Sequence, residues 1–96
     1  MELSIIRYSI NKENIQSSFL FKIHNNTFNQ EYTLNLPLNP LIDIEILKIF
    51  DFTFEDKLLK LNELVRKKHY SYQTIESLKR FIDWINNISN NDNVLI

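Results

Sequence analysis

The residues best suited to chemistry are few, and their spacing is uninformative. His24 and His69 are the only histidines, and neither has an acid or a second histidine at a helical metal-ligand spacing. A metal site needs three or four converging ligands. His24 therefore reads as an exposed residue beside a hairpin loop, and His69 as a cation at the end of a basic helix. The carboxylates Asp43, Glu45, Asp51, Glu55 and Asp56 crowd the middle of the chain, close enough for an acid and a base to be drawn from them. Plainer roles account for them: Asp56 as a cap partner, Glu55 as the complement of a helix dipole, Asp43 and Glu45 as the wet face of whichever element carries them.

Whole classes of mechanism are excluded by composition. The 96 residues contain no Cys and no Gly. Without Cys there is no disulfide, thiolate metal site or thiol nucleophile. Without Gly there is no phosphate-cradling loop and no glycine-flanked nucleophile elbow. Ser, His and Asp are all present, but no local motif assembles them. The expectation is a protein that is not an enzyme and that holds neither cofactor nor metal.

Charge is the feature that departs from the ordinary. Eleven basic and twelve acidic side chains give a net charge of -1, too balanced for a protein that coats nucleic acid by bulk charge. The balance is uneven along the chain. Residues 41–56 carry a net -4 and residues 57–80 a net +5. The basic district supplies the candidate partner-binding patch: Lys57, Lys60, Arg66, Lys67, Lys68, His69 and Tyr70. Lys57, Lys60 and Lys67 fall on the side of a helix opposite Leu58, Leu61 and Val65, and Tyr70 and Tyr72 follow at once. Such a strip can grip phosphates beside stacked bases, dock on an acidic protein surface, or simply keep a helix solvated.

The elements that position these residues follow from hydrophobic periodicity. At 11.6 kDa the chain is one domain's worth; residues 1–88 read as a single α+β domain and 89–96, rich in Asn, as a C-terminal tail whose Val94, Leu95 and Ile96 return to the core, fray, or dock on a partner. Ile-rich residues 3–10 form a first strand, broken at Asn11–Asn14. Phe19, Phe21 and Ile23 share one parity, and Phe28, Gln30, Tyr32, Leu34, Leu36 and Leu38 the other. The two sets share a face if paired residues sum to an odd number. A two-residue loop at Asn25-Asn26 meets this condition, with His24 opposite Thr27, Ile23 opposite Phe28, Phe21 opposite Gln30 and Phe19 opposite Tyr32. In a chain without Gly, Asn is the natural residue for a turn that needs positive φ. The expected sheet is a three-stranded antiparallel meander.

Helices follow. Asn39-Pro40 reads as an N-cap and first helical residue, although the alternation Ile42-Asp43-Ile44-Glu45-Ile46 also suits a fourth strand. Thr53 with Asp56 resembles a capping box, and Phe54, Leu58, Leu61 and Val65 mark a helix ending near His69. Ser71 caps a last helix with Ile75, Leu78, Ile82 and Ile85 inward, widened by Phe81 and Ile88. Two or three helices on one face of a small sheet make the fold α+β. Phe81, Trp84 and Ile88 together offer more apolar surface than three strands are expected to cover.

Fourteen Ile, thirteen Asn, eight Lys against three Arg, and no Ala point to AT-rich coding and hence to an AT-rich bacterium, a phage or another mobile element. Met1-Glu2-Leu3-Ser4 opens no signal peptide, and no run approaches the ~20 apolar residues of a membrane span. A soluble, cytoplasmic protein with no membrane association is expected, in the host cytoplasm if phage-encoded. The function expected of such a chain is that of a small inhibitor or binding protein acting by contact with a larger protein or protein–RNA complex. Phage and mobile-element anti-defence proteins, anti-CRISPRs among them, share this profile. The alternatives are a nucleic-acid-binding module using the basic helix 57–69, and a structural or oligomerisation subunit, homodimeric or otherwise.

Overall fold

Asparagine side chains close the turns of the N-terminal sheet. The computed structural model describes residues 1–67 and 69–94, the side chains of 91–94 excepted. Strands β1 (Glu2–Asn11), β2 (Gln16–His24) and β3 (Asn29–Pro37) form an antiparallel sheet in the order β1-β2-β3, the expected meander. Asn11 Oδ1 accepts from the amides of Glu13 (3.0 Å) and Asn14 (3.1 Å) in the first turn. In the second turn Asn25 Oδ1 accepts from the Thr27 amide and hydroxyl, both at 2.8 Å, and from the Phe28 amide at 3.1 Å.

The second turn corrects the expected register. The Asn25 amide donates to the Phe28 carbonyl at 3.2 Å, so the loop holds four residues instead of two. His24 lies opposite Asn29, Ile23 opposite Gln30, Phe21 opposite Tyr32 and Phe19 opposite Leu34. The slip is an even number of residues, so the side chains keep their faces. No Asn takes a left-handed conformation; among the described residues Ile15, at φ 51°, is the one with positive φ. A second irregularity sits in β1, where Ile5 pairs with Phe21 and Arg7 with Leu20, leaving Ile6 as an unpaired bulge residue. Beyond it Tyr8 takes the inner face, and Arg7 does not.

Three helices cover one face of the sheet: α1 (Pro40–Ile49), α2 (Phe54–Arg66) and α3 (Tyr72–Val94). The strand alternative for 41–50 is excluded. Asn39 caps α1 by accepting from the Leu41 amide, and Ile42, Asp43, Ile46 and Ile49 are buried while Ile44 is not, a helical and not an alternating pattern. Thr53 caps α2 through the Asp56 amide at 3.3 Å. Ser71 accepts from the Thr74 amide at 3.2 Å at the start of α3. Two ends differ from expectation: α2 stops at Arg66, short of His69, and the tail expected from residue 89 is helical through Val94. Leu95 and Ile96 lie outside the described residues.

The core is a run of aromatic rings between sheet and α3. Phe21 stacks on Phe81 at 4.3 Å and on Phe50 at 5.2 Å. Tyr32 contacts both Phe81 and Trp84, at 5.3 and 5.0 Å. Phe81 and Ile88 are buried and Trp84 is half-buried, so the surplus apolar surface expected on α3 is covered. Leu64, absent from the expected α2 stripe, is buried beside Leu61. Among the described residues no helix is long and apolar enough to cross a membrane.

Ile15 makes the first turn testable. A β-branched residue in the left-handed region carries steric strain of about 1–2 kcal/mol, and its side chain is 65% exposed, so little packing offsets that strain. Ile15→Asn should raise stability by about 1 kcal/mol, or about 4–8 °C in Tm for a domain of this size. A Tm at or below that of the parent would contradict the strain.

Candidate functional site

The buried face of α2 decides where its cations point. Leu61 and Leu64 face the core, which leaves Lys57 and Lys60 half-buried at its margin instead of opposite it. Lys57 is the clearest departure from the expected solvated strip. Its ammonium donates to the Leu3 carbonyl on β1 at 2.7 Å and lies 5.0 Å from the centre of the Phe50 ring. Its stem covers apolar surface while the charged tip finds a main-chain acceptor. Burial lowers the Lys57 pKa from its ordinary value, opposed by the nearby charge of Glu2.

The acidic and basic districts meet across α1 and α2. Lys67, the residue at which the chain leaves α2 in an extended conformation, reaches Glu45 of α1 at 3.2 Å. Tyr70 donates its hydroxyl to the other oxygen of the same carboxylate at 2.7 Å. The Tyr70 hydroxyl bond holds the Glu45 carboxyl below its ordinary pKa, against the effect of burial and with help from Lys67. Burial first, and Glu45 second, push the Tyr70 phenol up to about 12.

What remains between α1 and α2 is a groove of about 210 Å³ lined by Glu45, Lys48, Ile49, Phe52, Lys60, Glu63, Leu64 and Lys67. Its floor is apolar: Ile49 and Leu64 are buried and Phe52 is 45% exposed. Its rim is charged, with the Lys60 ammonium 5.3 Å from the centre of the Phe52 ring. Among the described residues Lys48 and Lys60 have no carboxylate partner.

The expected contact patch is thus divided. Lys60 and Lys67 line the groove and Tyr70 holds one wall through Glu45. Lys57 turns to the core margin. Arg66 and His69 are exposed, and Lys68 lies outside the described residues. Glu45, Lys48, Phe52 and Glu63 join the site without having been expected there. Glu45 and Lys48 are three apart, the spacing that puts both on one side of a helix; reading 41–50 as helix was the signal that could have found them.

Elsewhere Asp43 and His24 are tied into the fold. Asp43, expected on a wet face, is 2% exposed; its Oδ2 accepts from the hydroxyls of Tyr8 and Ser17, each at 2.5 Å. Burial, with the Asp43 carboxylate second, raises the Tyr8 pKa. His24 Nε2 lies 3.1 Å from Glu2 on the neighbouring strand. Among the described residues no three His, Cys, Asp or Glu side chains converge as a metal site would require.

The Glu45 cluster has a pH signature. A carboxyl held below its ordinary value of 4.5 contributes stability that is complete above that value and lost as pH falls through the depressed one. Tyr70→Phe should lower Tm at pH 7 and flatten the acid limb, converging with the parent once Glu45 is protonated in both proteins. A difference between the two proteins that stays constant from pH 7 down through the acid limb would contradict this.

No known family model matches the chain, and comparison with curated proteins and with solved structures finds no significant similarity to any of them.

Proposed function

We propose that the chain acts by contact and not by catalysis, as a small binding or inhibitory protein that seats an apolar, acidic segment of a larger protein in the groove between α1 and α2. The observation that carries this reading is the groove itself: an apolar floor of Ile49, Leu64 and Phe52 beside two cations, Lys48 and Lys60, that among the described residues form no direct ion pair. Apolar anchors in a pocket supply most of the affinity of such contacts, and flanking charges set partner choice and association rate. Three lysines against two glutamates on the rim favour an acidic partner.

Direct binding to nucleic acid is supported less. Gripping a phosphate chain takes several cations free to face it together. Here Lys57 is bonded to the Leu3 carbonyl and Lys67 to Glu45, so two of the lysines of the basic helix are already engaged within the fold.

The test is comparative affinity capture from nuclease-treated lysate of the source organism, with the parent chain and with Lys48→Glu/Lys60→Glu. The expected result is a protein retained by the parent and lost by the double variant at unchanged Tm. A captured nuclease or guide complex would place the chain in the anti-defence class. Identical capture by both proteins would overturn the groove as the site. Oligonucleotide binding that weakens steeply between about 50 and 200 mM salt and is lost in Arg66→Glu would replace it with the nucleic-acid reading.

A further inference from the structure

The face of the sheet turned away from the helices carries a cavity of its own. It has a volume of about 140 Å³ and is lined by Arg7, Ser9, Ser18, Leu20 and Thr33. Ser18 and Leu20, on the central strand, are half-buried, while Arg7 and Ser9 on β1 and Thr33 on β3 are exposed to either side. No acidic side chain is among the lining residues. Among the described residues the Arg7 guanidinium has no ion pair, and neither it nor the three hydroxyls has a hydrogen-bond partner. The next cross-strand pair on this face is Lys22 opposite Glu31, one charge of each sign, so Arg7 gives the cavity its positive potential.

Arg7 reaches this face because of the bulge in β1. Leu3 and Ile5 pack into the core, and in a regular strand the side chain of Arg7 would follow theirs. The unpaired Ile6 shifts the alternation by one residue, so that Arg7 lies opposite Leu20 and Tyr8 opposite the buried Phe19. Bulges re-aim side chains in this way, often beside functional sites. Tyr8 is thereby brought to Asp43 on the inner face, and the guanidinium is set among hydroxyls from all three strands on the outer one.

We propose that this cavity binds a single phosphate group, either the free anion or the monoester of a small molecule. The donor set fits that ligand. The planar fork of an arginine engages two oxygens of an oxyanion in parallel. A carboxylate has both its oxygens taken in this way, whereas a phosphate presents a third, free to accept from Ser9, Ser18 and Thr33. A polyanion fits less well, because one cation cannot neutralise a run of phosphodiesters. Bases would find nothing to stack on, since Tyr8, Phe19, Phe21 and Tyr32 all belong to the inner face. The cavity lies across the sheet from the helices, so it is separate from the α1–α2 groove and does not depend on the function assigned to that groove.

Titration of the full chain with inorganic phosphate and with methyl phosphate, at an ionic strength held constant with sodium chloride and followed by amide correlation NMR, tests the proposal. Saturable shifts are expected at the amides of Arg7, Ser9, Ser18, Leu20 and Thr33 and their neighbours, half complete at about 1–10 mM. Saturation by inorganic phosphate alone would assign the free anion, and saturation by both would assign the ester. Arg7→Gln, at an exposed position, should weaken binding at least about tenfold at unchanged Tm, and Arg7→Lys by less, because it keeps the charge and loses the fork. Ser9→Ala/Thr33→Val should weaken it with the guanidinium still in place. Lys48→Glu/Lys60→Glu should leave it unchanged, which separates this proposal from the groove reading. Shifts that do not saturate by about 100 mM, acetate that saturates the same amides as tightly as phosphate, or binding unaltered in Arg7→Gln would overturn it.

Discussion

The carboxylate of Asp43 is the constraint on which the arrangement of the helices depends. Removing a carboxylate from water costs several kcal/mol unless donors and positive potential replace its hydration. Tyr8 on β1 and Ser17 on β2 supply two hydroxyl donors to Oδ2. The first turn of α1, which carries Asp43, adds the positive end of the helix dipole. Among the described residues Oδ1 is buried without a hydrogen-bond partner, so the compensation is partial. Replacing all three residues by apolar ones of similar shape would cost little by this arithmetic. What the carboxylate adds is orientation.

Orientation matters because hydrophobic burial does not choose it for α1. Ile42, Ile46 and Ile49 lie on one side of the helix and Leu41, Ile44 and Leu47 on the other, two sets of nearly equal transfer free energy. Rolled by half a turn, the helix would bury a comparable set of aliphatic side chains, would turn Lys48 inward with them, and would leave Asp43 without either donor. A single buried polar residue is a known way of fixing the register of an otherwise degenerate apolar contact. Once Asp43 has set the roll, Glu45 faces Lys67 and Tyr70, Lys48 and Ile49 border the groove, and the second apolar stripe is turned outward. The groove and the apolar face are thus two consequences of one buried interaction.

The three-stranded meander, the caps at Asn39, Thr53 and Ser71, and the inward stripe of α3 were legible in the sequence because each is local: a parity, a capping residue, a helical spacing. The register of the second hairpin was not, because a two-residue and a four-residue loop give the same parity, and only the bonds made by Asn25 Oδ1 distinguish them. Asp43 was misread because a carboxylate flanked by isoleucines has no local sign of burial; its donors lie 35 and 26 residues away. Lys57 was misread for the same reason, its acceptor being a carbonyl 54 residues distant. The candidate site was half visible. Lys60, Lys67 and Tyr70 were found from charge and aromatic content, while the α1 wall opposite them needed the roll of a helix that no periodicity specifies.

The most direct test of this account is the accessibility of α1 by its two sides. The chain has no Cys, so single thiols can be placed at Ile44→Cys on the outward side and Ile46→Cys on the inward side, and their rates of alkylation compared under monomeric conditions. With Asp43 in place the thiol at 44 should react much faster than the one at 46. With Asp43→Leu added, which keeps the helix apolar but removes the bonds to Tyr8 and Ser17, the ratio of the two rates should fall at least about tenfold. An unchanged ratio would show that packing alone sets the roll of α1, and would contradict the role assigned to Asp43.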